Sequence, residues 1–209
     1  MKKLLYKILK KIDSCKVSLE NHNLACRFKF MGVDSEIISP LRIQGHDNIW
    51  IGNHVSIHNN TWLASLPLTS KKGKSILKIE DNCVIGDFCH IWSTKSIIIH
   101  KNVLIANFVY ISDNLHCFED ISTPIINQPI KQLKPVELGD GCWIGEHVSI
   151  IGASVGKNSV VGANSVVTHD IPDYCVAVGS PAYVIKRYNF TSQQWEKTDK
   201  KGNFINSKL

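Results

Sequence analysis

In the stretch ISDNLHCFED, residues 111–120, a run of regularly spaced aliphatic residues ends at Ile111 and a histidine follows at position 116. A free imidazole titrates near neutral pH and can take a proton from a substrate hydroxyl, so His116 is a candidate general base. A base of this kind needs a neighbour to orient it. Asp113, Glu119 and Asp120 all stand close enough in sequence to do so, and the sequence does not choose among them. Cys117 adjoins the histidine, but adjacent side chains of an extended segment diverge, which disfavours a Cys–His nucleophile.

What must position His116 is a repeat. Hexads run IGNHVS and IHNNTW from Ile51, IEDNCV and IGDFCH from Ile79, and IHKNVL and IANFVY from Ile99. LGDGCW and IGEHVS follow from Leu138, then VGKNSV and VGANSV from Val155. Position one is aliphatic throughout, position two is usually small, and position five is often Val, Cys or Ser. A period of six matches neither a helix at about 3.6 nor a long strand at about 2. It predicts flat-faced coils in which each hexad is a short strand and a turn, and coils stack at about 4.8 Å. Small residues and Asn allow the tight corners. His90 and Trp92, on the coil below His116, are candidate acceptor-binding residues.

The repeat is interrupted at residues 64–78, with KKGK at the tip, and at 113–137. Loops beyond about 12–15 residues in a compact domain are usually functional or disordered. The second interruption holds Phe118, Ile125, Ile126, Ile130 and Leu133, enough apolar mass for an ordered arm that docks on a neighbour.

The rest of the composition excludes more than it identifies. With 209 residues, 44% hydrophobic and 20% charged, the chain suits a single globular domain. A net charge of +6 without a basic, aromatic-studded stripe argues against nucleic acid. Seven scattered cysteines with no CxxC pair read as free thiols in a reducing, cytoplasmic setting, and no set of His, Cys and carboxylates has structural-zinc spacing. In MKKLLYKILKKID the leucines and isoleucines share one helical face and the lysines the other. Residues 1–13 therefore suit a short helix packed on protein, or one touching the inner, anionic face of a membrane. The expected organisation is a basic N-terminal segment at 1–37, a repeat domain at 38–187 carrying the arm, and a tail at 188–209.

The block GDGCWIGEHVSIIGASVGKNSVVGANSVVTHDIPDYCVAVGSPAYVIKR, residues 139–187, resembles the hexapeptide-repeat acyltransferases. It is similar to the maltose, galactoside and xenobiotic acetyltransferases and to bacterial capsule and lipopolysaccharide O-acetyltransferases. The resemblance implies an all-β fold, a left-handed parallel β-helix, although the general crossover rule favours the right hand. It implies a homotrimer and acetyl-CoA as acyl donor, with no metal. His116 takes the place of the catalytic histidine at the start of the family's excursion, and Trp143 that of a tryptophan lining the site. By position Ala163 and Thr168 match contacts to the pantetheine arm, while Lys186, with Arg187 adjacent, matches the basic residue at the nucleotide phosphate. Backbone N–H groups near Gly145 are candidates for oxyanion donors. The chain departs from the family at Glu146, where a serine is common, and at His169, where a lysine is common. The expected activity is O-acetylation of a sugar hydroxyl on a bacterial surface polysaccharide or its precursor. N-acetylation of an amino-sugar nucleotide is the alternative. A γ-type carbonic anhydrase would need converging histidines, with an HxxxxH pair that is missing near His116, and a scaffold would not need His116 and Trp143 in register.

Overall fold

The computed structural model describes residues 24–68, 75–200 and 202–205. The basic segment 1–13, Cys15 and the KKGK tip at 71–74 lie outside the described residues.

The chain winds a left-handed parallel β-helix with three flat faces. Face one stacks Phe30–Met31, Ile49–Ile51, Ile76–Ile79, Ser96–Ile99 and Val136–Leu138 in parallel register. Face two stacks Glu36–Ile37, Ser56–Ile57, Val84–Ile85, Leu104–Ile105, Trp143–Ile144, Val160–Val161 and Cys175–Val178. Face three stacks Arg42–Gln44, Trp62–Ser65, His90–Ser93, Tyr110–Ser112, Ser149–Ile151 and Val166–Val167. Position one of each hexad points inward and sits on its equivalent one coil away. Ile51, Ile79, Ile99 and Leu138 form one such column, and Ile57, Ile85, Ile105, Ile144 and Val161 another, all at 1% exposure or less.

Position five explains the cysteines. Cys83 and Cys89 are buried and donate their thiols to His100 O and Ala106 O of the next coil, as Ser35 and Ser159 do with hydroxyls to Gly52 O and Pro172 O. Burial pushes both thiols up to about 11, so they are inert packing groups.

Corners use the left-handed backbone. Asn82, Asn102, Asn158 and Asn164 take φ between 49° and 59°, where an Asn side chain is tolerated. Phe88 and Phe108 take φ 57° at the same kind of position, with rings stacked 4.9 Å apart.

Several boundaries differ from the expected ones: strands Trp62–Ser65 and Ile76–Ile79 trim the interruption expected at 64–78, and Val136–Leu138 ends the arm before residue 137. The first coil begins at Phe30–Met31 rather than after residue 37, because Met31, Ile37 and Ile43 already repeat at six. After residue 187 face two continues: Tyr183–Asn189 pairs antiparallel with Cys175–Val178, and Gln194–Lys197 pairs with it in turn. No helix among the described residues is long and apolar enough to cross a membrane.

Candidate active site

The arm leaves the coil after Ser112 and returns at Val136, at the corner between faces three and one. Its root is a hairpin, Asn114–His116 antiparallel to Ile130–Gln132, with His116 opposite Ile130. Cys117 N–H donates to Pro129 O at 2.9 Å and extends the hairpin by one bond. The His116 ring is exposed and hydrogen-bonds to none of the described residues. Farther out, Phe118, Ile121 and Ile126 are 62%, 100% and 86% exposed, an apolar surface that a single chain leaves uncovered.

The three acids near His116 are engaged elsewhere. Asp113 is fully buried and points to the turn of the coil below. One carboxylate oxygen accepts Thr94 N–H at 2.7 Å and Thr94 O–H at 2.8 Å, and the other accepts Lys95 N–H at 2.7 Å and Ser96 N–H at 2.8 Å. Glu119 pairs with Lys131 at 2.7 Å, and the Lys131 hydrogen bond, helped by Phe118 N–H, holds its carboxyl down to about 2. Asp120 closes a local turn by accepting Ser122 O–H and N–H, which holds it at about 2.

The donor-side candidates fall into two groups. Trp143 projects from face two, half exposed, in an outward column that runs Leu104, Trp143, Val160, Val176, Lys186. Three strand spacings of about 4.8 Å put Lys186 roughly 14 Å from Trp143 along that column. Gly145 and Ala163 lie at the corner between faces two and three, stacked so closely that a Cβ on Gly145 would meet Ala163 N at 2.7 Å. Gly145 N–H donates to Val161 O at 2.8 Å and is therefore not a free oxyanion donor. Glu146, at that corner, accepts from Asn107 Nδ2 at 3.3 Å. Arg187 separates from Lys186. It pairs with Cys175, whose side chain points inward, so the two basic residues project from opposite sides of one strand. Thr168 follows Val167 at the far edge of face three, on the arm side, with its hydroxyl 3.0 Å from His169 Nδ1.

His90 and Trp92 belong to a larger aromatic cluster on face three that also takes in Trp62 and Tyr110. Trp62 stacks on His90 at 4.2 Å and 7°, Tyr110 meets His90 edge-on at 5.3 Å, and the Arg42 guanidinium lies 4.8 Å over Trp62. Trp62, His90 and Tyr110 are position six of IHNNTW, IGDFCH and IANFVY, so the signal was an in-phase column rather than a motif. His90 Nε2 and Trp92 Nε1 are buried and find no hydrogen-bond partner among the described residues, and burial lowers the His90 pKa.

Elsewhere, Glu80, His100 and Asp140 bring potential ligand atoms within 4.8 Å of one another. There His100 lies 3.3 Å from both Glu80 and Glu137, and Lys78 pairs with Glu80 at 2.7 Å.

Residues 76–113 and 135–169 match the model of the hexapeptide repeat of succinyl-transferase. Over 132 residues the chain is 37% identical to WbbJ of Escherichia coli K12, provisionally named a lipopolysaccharide biosynthesis O-acetyl transferase. That match covers 60% of this chain and 67% of the relative. Rv3034c of Mycobacterium tuberculosis, provisionally named an acetyltransferase, is 35% identical over 159 residues, 71% of this chain, which spans about half (52%) of that relative. Among solved structures, a maltose O-acetyltransferase from Clostridium difficile 630 matches at 30% identity and TM-score 0.52, covering 78% of this chain and 72% of that one. AntD, an N-acyltransferase from Bacillus cereus, matches in fold at TM-score 0.66 and 21% identity, covering 83% of this chain and 90% of that one. The chain belongs to the hexapeptide-repeat acyltransferase family, and it is an acyltransferase.

Proposed function

We propose that the protein is an acetyl-CoA-dependent O-acetyltransferase whose acceptor is a sugar hydroxyl of a bacterial surface polysaccharide or its precursor. One observation carries the reading: an exposed histidine stands at the end of a short anchored hairpin, with its ring free to meet a substrate. The names of two relatives, both at 30% identity or more, specify O-acetyl transfer, which favours a hydroxyl over an amine.

In a three-sided prism the corner that bears the arm lies opposite face two, which bears Trp143 and Lys186. On one chain the two groups face away from each other. A second chain brings them together, and this supports a homotrimer with a groove between prisms. One wall carries His116 and Thr168, and the other carries Trp143, Ala163 and Lys186. The exposed isoleucines of the arm favour the same assembly.

The donor supplies an acyl group activated as a thioester. The outward column on face two fits such a molecule, being apolar from Leu104 to Val176 and ending in the Lys186 cation. His116 accepts the acceptor hydroxyl proton as that oxygen attacks, and returns it to the departing thiol. Trp143 orients the thioester end, and His90 and Trp92 contact the acceptor. Work on a membrane-linked glycan would place the enzyme at the inner membrane face.

Thiol release from acetyl-CoA, measured across oligosaccharides, sugar nucleotides and amino-sugar nucleotides, tests the proposal. Release with an ester product on a neutral sugar is expected. Release only with an amine acceptor, giving an amide, would overturn O-transfer.

A further inference from the structure

We propose that Thr94 and Gln132, acting through Asp113, are positioning residues that hold the His116 hairpin in its working orientation. This rests on His116 being the base. The hairpin that carries His116 pairs only three residues on each strand, and a ribbon of that size is marginal in water on its own. What fixes it is a clamp at its root.

Asp113 is the first residue of the arm, and its carboxylate sits in a nest of three successive main-chain N–H groups, those of Thr94, Lys95 and Ser96 on the coil below. The Thr94 hydroxyl adds a fourth donor at 2.8 Å, with Gln132 Oε1 at 3.2 Å as the alternative acceptor for its proton. The returning strand is tied to the same residue. Gln132 Nε2 and Leu133 N–H both donate to Asp113 O at 2.8 Å. Asn114 Nδ2 reaches down to Trp92 O at 3.3 Å. Both strands of the hairpin are thus bolted to one turn, residues 94–96, three residues or fewer from His116 on the outgoing strand. A buried carboxylate satisfied by main-chain donors cannot rotate without leaving several N–H groups unpaired, so the root is stiff. The nearest carboxylate to His116 in sequence on its N-terminal side therefore serves it by fixing backbone, not by touching the ring.

The test measures turnover on the best acceptor from the panel above. Asp113→Asn, whichever way its amide is turned, puts an NH2 against main-chain N–H donors, of Thr94 or of Lys95 and Ser96, and is expected to unfold the root, so the informative variants are milder. Gln132→Ala and Thr94→Val should each lower kcat about 10–100-fold, as expected for ångström-scale misplacement of a base, with the donor KM unchanged. Thr94→Ser, which keeps the hydroxyl, should restore wild-type turnover. On a His116→Ala background, Gln132→Ala should lower kcat no further, since both changes act through the same group. Loss of turnover in His116→Ala with wild-type turnover in Gln132→Ala and Thr94→Val would overturn the clamp alone. So would full multiplication of the two effects in the double variant. Unchanged turnover in His116→Ala would overturn the base reading and the clamp with it.

Discussion

The segment SIII, residues 96–99, offers a direct test of the coil geometry, because identical side chains at 97, 98 and 99 have opposite fates. Ile97 and Ile99 are fully buried, stacked between Leu77 and Val136 and between Ile79 and Leu138. Ile98 faces outward and is only half-buried, between Lys78 and Glu137. Ile97→Ala deletes three carbons from a filled column, about 2.4 kcal/mol of transfer free energy at about 0.8 per methylene. Since the backbone ladders above and below cannot close the gap, a cavity contribution should raise the loss to about 3–5 kcal/mol. At about 2–4 °C per kcal/mol for a chain of this size, melting should fall by roughly 6–20 °C. Ile98→Ala should cost under about 1 kcal/mol. Differential scanning calorimetry at matched concentration reads both. Equal losses at 97 and 98 would refute the inward and outward assignment, and with it the register of face one.

Lys186→Ala should raise the donor KM roughly five- to tenfold, the value of about 1–1.4 kcal/mol for an exposed charge contact, whereas Arg187→Ala, on the other side of the strand, should leave it unchanged. Stability should fall as pH drops below about 6.5, because the unfolded chain takes up a proton that the half-buried His90 resists; the native state binds fewer protons there, so the slope is positive with pH. His90→Phe should flatten that window in thermal melts, and an unaltered slope would exclude His90 as a source. Light scattering at micromolar concentration should give three times the 23.4 kDa chain mass, and a monomer would remove the two-chain groove.

The fold was legible because its rule is one-dimensional. An aliphatic residue every six positions states where the interior is, and Met31, Ile37 and Ile43 carried the same rule earlier than the sequence reading placed it. Of the candidate site, the sequence made the placement of His116 legible, since it stands just past the last hexad before the break. Lys186 and Arg187 looked like one basic pair, and only the two-residue period of a strand, invisible until a strand is assigned there, sends them apart. Asp113 looked like a partner for its near neighbour His116. Its true partners are main-chain groups at 94–96, one coil earlier, and main-chain donors leave no trace in residue type.

The measurement that bears most directly on the proposed mechanism is the steady-state turnover of His116→Ala and His116→Asn beside donor binding by calorimetry. Turnover should fall about 10²–10⁴-fold in both variants, since an amide can hydrogen-bond but cannot accept the proton. Acetyl-CoA affinity should stay within about twofold, because the donor contacts are assigned to Trp143, Ala163, Thr168 and Lys186 rather than to the arm. The rising limb of the wild-type pH–rate profile should vanish with the imidazole. Wild-type turnover and an unchanged pH profile in His116→Ala would contradict the account and leave the arm as architecture.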